Sequence, residues 1–203
     1  MDTKAMFKLG YGLYVLTSRT GEKDNGCIIN TVAQVTSNPN RISITVNKDN
    51  YTHDMIVESG IFNVSVLTNE VPFAVFQRFG FQSGRNCDKF EGYDSVKRGE
   101  NGVLYCTEYT NAFISGKVVN QMDLGTHTMF IADVTDCGIL SDATSVTYDY
   151  YQKNIKPQPK KDEAVVTGYR CTICGYIYEG DELPADFVCP LCKHGAEVFE
   201  PIR

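Results

Sequence analysis

The chain has 203 residues, which is long enough for one full domain and a small second one. Apolar residues make up 42% and charged residues 22%, a composition that excludes a wholly disordered chain. The net charge of −6 argues against nucleic acid as a partner, because the phosphate backbone attracts basic surfaces. No apolar run approaches the roughly 18 residues of a membrane helix, and the first residues, MDTKAMFKLGYG, lack the apolar core of a signal peptide. We therefore expect no membrane partner and a cytoplasmic location.

Most of the chain up to residue 152 reads as β-strands. Runs rich in β-branched residues predict strands at residues 12–19, 26–36, 41–47, 61–67, 111–124 and 127–140. Two helices are predicted between them, one that has Thr52 as its N-cap and ends at Gly60, and one with Pro72 in its first turn that ends at Gly80. Regular strand–helix alternation is absent, and neither GxGxxG nor GxxxxGK(S/T) occurs, which argues against a doubly wound nucleotide fold. The pattern predicts a mainly β fold, a barrel decorated by a few helices.

A change of composition divides the chain. The stretch QKNIKPQPKKDEAVV, residues 152–166, is rich in lysine and proline and has no apolar period. Pro-Gln-Pro favours an extended, semi-rigid spacer. We therefore predict a first domain at 1–152, a linker at 153–166 and a second domain at 167–203.

Four of the eight cysteines have the spacing of metal ligands. The pattern C-x2-C-x14-C-x2-C can bring four thiolates around one tetrahedral ion, and all-sulfur ligation means iron or zinc. Spacing alone does not choose between the two metals. The predicted ligands are Cys171, Cys174, Cys189 and Cys192. The remaining cysteines lack ligand spacing, and we expect reduced, buried apolar side chains at Cys27, Cys87, Cys106 and Cys137.

The residues around these ligands carry a family resemblance. The segments CTICGY and LPADFVCPLC, followed by VFEPI, resemble rubredoxin, with Phe187 standing where tryptophan is common. The resemblance implies one iron held by four cysteines, which passes a single electron at a time. Zinc ribbons share the same knuckles, so a zinc site with a purely structural role stays open. His194 follows the last ligand, and we expect it at the surface because four thiolates complete the tetrahedron.

The first domain resembles a second family. The segment NGCIINTVAQVTSNPNRISITVNKDNYTHDMI, followed in order by SGRNCDKFEGY and LGTHTMFIADV, resembles the flavin-reductase-like family, the FMN-binding split barrel. The resemblance covers nearly all of residues 1–150. It implies a split β-barrel with bound FMN, NADH or NADPH as the electron donor, and a homodimer.

The same resemblance implies which residues bind the cofactor. It places the flavin ring against Asn30, Thr31, Val32, Ala33, Gln34 and Thr36, where backbone groups at a strand rim stabilise the reduced ring. It places the FMN phosphate against Asn47, Lys48, Asn50 and Thr52. Lys48 offers a charge to the phosphate, and the helix starting nearby offers free N–H groups and a positive dipole end. The alternative is a plain polar turn that caps the helix.

Four further polar residues are expected in or near the site, each with an alternative. The resemblance puts His127 near the flavin and the nicotinamide as the catalytic histidine, whereas a hydrogen-bonded rim residue is the alternative. His53 is expected to be solvated or near the phosphate. Arg85 and Lys89 are candidates for lining the pocket or binding the dinucleotide, with a solvated charged loop as the alternative.

Together the two resemblances predict an electron-transfer protein. Electrons would pass from NAD(P)H to FMN, then singly to the four-cysteine iron, and on to an external redox protein. A chain with both modules resembles the high-molecular-weight rubredoxins, which implies a flavodiiron O2 or NO reductase as acceptor. One alternative is a flavin or ferric reductase whose tail is only structural or docking, with zinc or iron. Another is an FMN-binding or zinc-ribbon interaction module without catalysis.

Overall fold

In a computed structural model, residues 2–157 and 168–202 are described. The first unit begins with a short 3₁₀ helix, Thr3–Lys8. Its strands are β1 (Tyr14–Thr20), β2 (Lys23–Ile29), β3 (Val32–Ser37), β4 (Asn40–Asn47), β5 (Ile61–Leu67), β6 (Val96–Arg98), β7 (Leu104–Cys106), β8 (Thr110–Asp123) and β9 (His127–Ile139). Strands β6 and β7 form a separate hairpin, and the sequence patterns did not predict it.

The other seven strands form one antiparallel sheet in the order β2-β1-β5-β8-β9-β4-β3. Its two edge strands, β2 and β3, are joined by only two residues, Asn30 and Thr31. The sheet therefore has to curl until its edges meet, which gives a barrel split at that point. Our prediction of one strand over residues 26–36 was wrong, because the chain leaves β2 at Asn30 and re-enters the sheet at the opposite edge. The prediction of a mainly β fold is confirmed.

Alternation along the strands fills the barrel interior. Ile42, Ile44 and Val46 of β4 are all buried and point to the same side, as a period of two requires. They pack with Phe62 and other apolar side chains. Gly116 faces that ring so closely that an added Cβ would lie 2.4 Å from the Phe62 Cζ atom. A glycine on β8 is therefore what lets the Phe62 ring fit inside.

Two helices flank the sheet. Helix α1 (Tyr51–Ser59) begins after Asn50, and it ends at Gly60, whose φ of 69° suits glycine. The predicted N-cap at Thr52 was wrong, because that hydroxyl is buried and accepts a hydrogen bond from the Asn25 side chain. Helix α2 (Phe73–Gly80) has Pro72 as its N-cap.

A second core lies between α2 and the outer face of the sheet. Phe76 and Phe79 of α2 are buried there with Val15 of β1. The chain closes this layer with a helical segment, Tyr148–Tyr150 followed by a π-helical turn at Tyr151–Ile155. The Tyr151 ring packs on Phe76 with ring centroids 4.4 Å apart. The helical segment thus runs past residue 152, and the predicted linker residues 158–166 lie outside the described part of the chain.

The second unit is a small three-stranded sheet. Its strands β10 (Gly168–Cys171), β11 (Ile177–Glu179) and β12 (Phe199–Ile202) are arranged in the order β11-β10-β12, with a 3₁₀ turn at Ala196–Val198. Phe187 packs edge-on against Phe199 and Tyr178, with centroid distances of 5.4 and 4.7 Å. In the described residues of both units, we find no helix with the length and apolar character needed to cross a membrane.

Candidate metal and flavin sites

Four sulfur atoms meet in the second unit. The Sγ atoms of Cys171, Cys174, Cys189 and Cys192 all lie within 4.8 Å of one another. Cys171 approaches Cys192, and Cys174 approaches Cys189, at 3.5 Å each. All four side chains are buried. The predicted ligand set is thus brought together.

The two cysteine pairs sit in matching turns. Gly175 N–H donates to the Cys171 carbonyl at 2.9 Å, and Lys193 N–H donates to the Cys189 carbonyl at 3.0 Å. Both donors have left-handed backbone, with φ of 80° at Gly175 and 63° at Lys193. Because each turn folds its two cysteines the same way, two turns facing each other place four sulfurs around one point. His194 points elsewhere, with Nδ1 3.1 Å from the Cys192 carbonyl oxygen.

The surroundings act differently on the individual thiols. Burial raises the pKa of Cys174 to about 11, and it also raises the pKa of Cys192. Burial also disfavours the thiolate of Cys171, but N–H groups of Cys174 and Ile173 outweigh it and lower the pKa of Cys171. Four thiolates packed this closely repel one another unless a cation lies between them. The donor set therefore fits a tetrahedral iron or zinc ion, with the N–H groups stabilising charge on sulfur.

The residues predicted to hold the flavin ring lie at the split of the barrel. Asn30 and Thr31 form the link between β2 and β3, and Thr31 Oγ1 donates to the Thr45 carbonyl at 2.7 Å. Along β3, Val32 packs on the barrel core while Ala33 and Gln34 are exposed. Thr36 follows a β-bulge and is half-buried. The six predicted residues therefore lie along one rim, formed by the β2–β3 link and the edge strand β3, whose backbone pairs with β4 on one side.

The residues predicted to hold the phosphate lie together at the start of α1. Asn50 is the N-cap residue, and its side chain makes no capping bond, although the His53 N–H already donates to the Asn50 carbonyl at 3.0 Å. Asn47 Oδ1 accepts from the Asp49 N–H at 2.9 Å. Lys48 Nζ lies 2.8 Å from both carboxylate oxygens of Asp123, and Thr52 is buried. Lys48 thus reaches a phosphate only by sharing or leaving Asp123.

His127 is brought to the same end of the barrel. It begins β9 directly opposite Asn47 of β4, and the Lys48 N–H donates to the Thr126 carbonyl at 3.0 Å. The partly exposed His127 ring has Nδ1 2.9 Å from Thr126 Oγ1. The structure therefore joins the predicted histidine to the predicted phosphate turn, 80 residues apart in sequence.

A basic cluster beside α1 was not fully anticipated. The Tyr51 ring lies against both Lys23 Nζ, 4.5 Å from its centroid, and the Arg85 guanidinium, at 5.0 Å. Arg85 also pairs with Asp54 at 2.8 Å. His53 is buried rather than solvated, with Nε2 2.9 Å from Thr128 Oγ1. Contacts between Tyr51 and cations distant in sequence cannot be recognised from a local sequence pattern. Only the family resemblance had therefore indicated Arg85.

The cluster borders an open cleft. The cleft has a volume of about 560 Å³, and its lining combines the cations of Lys23 and Arg85 with the carboxylates of Glu22, Asp24 and Asp88. Lys89 does not line it: the side chain is buried and Nζ donates to the Gly26 carbonyl at 2.9 Å and the Phe79 carbonyl at 3.0 Å. Burial lowers the pKa of Lys89. Of the two charged residues predicted to line the pocket or bind the dinucleotide, only Arg85 lines this cleft.

The two units are in contact. The side-chain amide of Gln77 on α2 donates to the carbonyl oxygen of Leu191, between the last two cysteines. The Phe81 ring packs against the four-cysteine cluster and also against the α2 core. The metal site is therefore seated on the barrel unit of its own chain.

Family comparisons match both units. Residues 6–158 match the flavin reductase like domain, and residues 169–200 match the rubredoxin-like domain of rubrerythrin. The fold and the sites define a flavin reductase unit joined to a rubredoxin-like metal unit, as the sequence predicted. The chain belongs to the flavin reductase like family.

Known proteins are similar to this chain, either over its whole length or over its barrel unit. A high molecular weight rubredoxin of Moorella thermoacetica is 38% identical, with both chains covered completely. A ferric-chelate reductase (NAD(P)H) of Archaeoglobus fulgidus is 43% identical over 74% of this chain and 89% of its own. Among solved structures, an NADH:FAD oxidoreductase of Streptomyces globisporus gives a TM-score of 0.63 at 22% identity, covering 71% of this chain and 84% of its own. That likeness confirms the fold.

Proposed function

We propose that the protein passes electrons from NAD(P)H through bound FMN to one iron held by its four cysteines, and then to an external redox protein. The observation that carries the proposal is the contact of Gln77 and Phe81 with the four-cysteine unit, because it puts a one-electron site on a flavin-reductase barrel. When bound, FMN accepts two electrons from the nicotinamide and releases them singly, as a one-iron site requires.

The roles of the barrel residues follow from their positions. The uncapped start of α1 and Lys48 would bind the FMN phosphate, while the rim from Asn30 to Thr36 would hold the ring through its backbone. His127, held by Thr126, would orient the nicotinamide at the same end. Arg85 borders the open cleft and is the candidate cation for the dinucleotide.

Four buried thiolates fit iron and zinc equally in geometry, but only iron gives the tail a redox role. We therefore assign iron to the site. The boundaries 1–152, 153–166 and 167–203 remain the proposed division of the chain. A flavodiiron protein is the proposed acceptor, based on resemblance to the high molecular weight rubredoxins.

We also propose a cytoplasmic homodimer. Exposed apolar side chains on β3 and around the β8–β9 hairpin, which support an interface, are Val35, Val119, Met122 and Leu124. Eight cysteines without a disulfide suit a reducing compartment. Sedimentation analysis tests the dimer, and a single monomeric species would contradict it.

A second function, ferric reduction by the barrel alone, is favoured by the 43% identity to a ferric-chelate reductase. The variant Cys174→Ser separates the two functions in the full-length protein. Under our proposal it still oxidises NAD(P)H but reduces a one-electron acceptor protein at less than about a tenth of the wild-type rate. Acceptor reduction at the wild-type rate would instead make the tail dispensable.

A further inference from the structure

We propose that the C-terminal end of α2 is a docking surface for the four-cysteine unit of the same chain. Gln77 and Phe81 are its positioning residues. They hold the second cysteine turn against the end of α2, which itself packs on β2, the strand that leads into the flavin rim. The electron-transfer role of this surface rests on the proposed function, whereas the docking itself does not.

The contact uses a hydrogen bond and an apolar ring. The half-buried Gln77 amide donates to the Leu191 carbonyl, a backbone oxygen in the turn that carries two of the ligands. Phe81 lies four residues further on, so it extends the same face of the helix end. Its ring touches both the α2 core and the cysteine cluster, so it fills the space between the two units.

The end of α2 is itself fixed to β2. Buried Lys89 donates to the carbonyl of Phe79 on α2 and to the carbonyl of Gly26 on β2. Gly80 lies so close to β2 that an added Cβ would be 3.3 Å from Ile28 Cγ1. Ile28 stands two residues before Asn30, the first residue of the proposed flavin rim. The docked metal site therefore connects to that rim through a short series of packed groups.

The two cysteine turns have different surroundings. Leu191 occupies the turn that meets Gln77, while Ile173, at the matching place in the other turn, is 45% exposed. Val188, which precedes Cys189 at the second turn, is also exposed, at 55%. Exposed apolar side chains therefore remain beside both turns of the docked unit, where an external protein can accept electrons without undocking of the unit.

One NAD(P)H yields NAD(P)+, two electrons and one proton, which is released to solvent. The iron passes from ferric to ferrous twice, and the external one-electron acceptor returns it to ferric each time. The docking surface thus serves two successive transfers per nicotinamide.

The test makes the same change, glutamine to glutamate, at two positions of the full-length protein. Gln77→Glu removes the donor and sets a carboxylate against the Leu191 carbonyl, whereas Gln82→Glu keeps the Oε1 acceptor that faces the Cys87 thiol. Phe81→Ala is the second docking variant. Small-angle X-ray scattering measures docking through the radius of gyration. Anaerobic stopped-flow absorbance after mixing with NADH follows the flavin and iron bands separately.

We expect Gln77→Glu and Phe81→Ala to increase the radius of gyration and to slow iron reduction at least about tenfold, with the flavin bleaching rate unchanged. Gln82→Glu should match the wild type in both measurements. An unchanged radius and an unchanged iron rate in both docking variants would overturn the docking surface. Iron that stays oxidised in the wild type while its flavin bleaches would overturn the proposed function, and scattering would still decide the docking.

Discussion

The side chain of Gln77 donates a hydrogen bond to the carbonyl oxygen of Leu191, and these residues stand 114 positions apart in two different units. The bond lies beside a ring, Phe81, that belongs to the apolar cores of both units. A separate metal module on a linker would need no such contact. Its presence supports the proposal that electrons pass between the barrel and the four-cysteine site of one chain.

Substitution of Lys48 tests whether its ammonium group binds the FMN phosphate. Lys48→Ala should weaken FMN binding about 5- to 10-fold, on the order of 1 kcal/mol for a partly exposed charge-assisted contact. The matched variant Asp123→Asn should strengthen FMN binding, because it frees Lys48 from its carboxylate partner. Fluorescence titration of the apoprotein with FMN measures both affinities. Equal affinity in Lys48→Ala and wild type would remove this lysine from the site.

His127 tests the nicotinamide end. His127→Ala should lower the rate of flavin reduction by NADH about tenfold through lost orientation, with FMN affinity unchanged within about twofold. Stopped-flow reduction over a range of NADH concentrations separates the limiting rate from binding. If reduction runs at the wild-type rate, the histidine is only a rim residue bonded to Thr126.

Lys89 tests the attachment of α2 to β2. Lys89→Met should destabilise the protein by about 2 kcal/mol, because two buried carbonyls lose their charged donor. Exposed Lys97→Met is the control and should change the stability little. Urea unfolding gives the free energies.

The loss of stability in Lys89→Met should depend on pH. Burial lowers the pKa of Lys89, so the unfolded chain holds its proton more strongly than the folded one. The free energy of unfolding of the wild type therefore increases with pH between the pKa of Lys89 in the folded protein and its higher pKa in the unfolded chain. The deficit of Lys89→Met relative to wild type should widen in alkaline solution. A deficit that narrows there would contradict the burial of a charged lysine.

The scattered cysteines should differ in reactivity. Burial raises the pKa of Cys106 to about 12, so at about pH 8 only roughly one molecule in 10⁴ carries that thiolate. Cys137 is exposed on β9, so the expectation of a buried side chain there was wrong. Alkylation with iodoacetamide, followed by peptide mass spectrometry, should label Cys137 first and Cys106 only after unfolding. Equal native labelling would show that the core at Cys106 opens readily.

The sequence predicted what is encoded locally. The four metal ligands lie in two copies of one short turn, and alternating apolar residues mark the buried face of β4. Both features could therefore be predicted from the sequence alone. The break at Asn30 could not, because β2 and β3 join opposite edges of a closed sheet. Three hydrogen bonds could not be predicted either, because their partners are distant in sequence. They join Asn25 to Thr52, Lys89 to the Gly26 carbonyl, and Gln77 to the Leu191 carbonyl.

The most direct measurement is an anaerobic absorption spectrum of the purified protein, with metal and flavin analysis, before and after adding NADH. We expect FMN and one iron per chain, with the flavin band and the ferric thiolate bands both bleaching. Zinc in place of iron, or ferric bands that persist while the flavin bleaches, would contradict electron transfer between the two units.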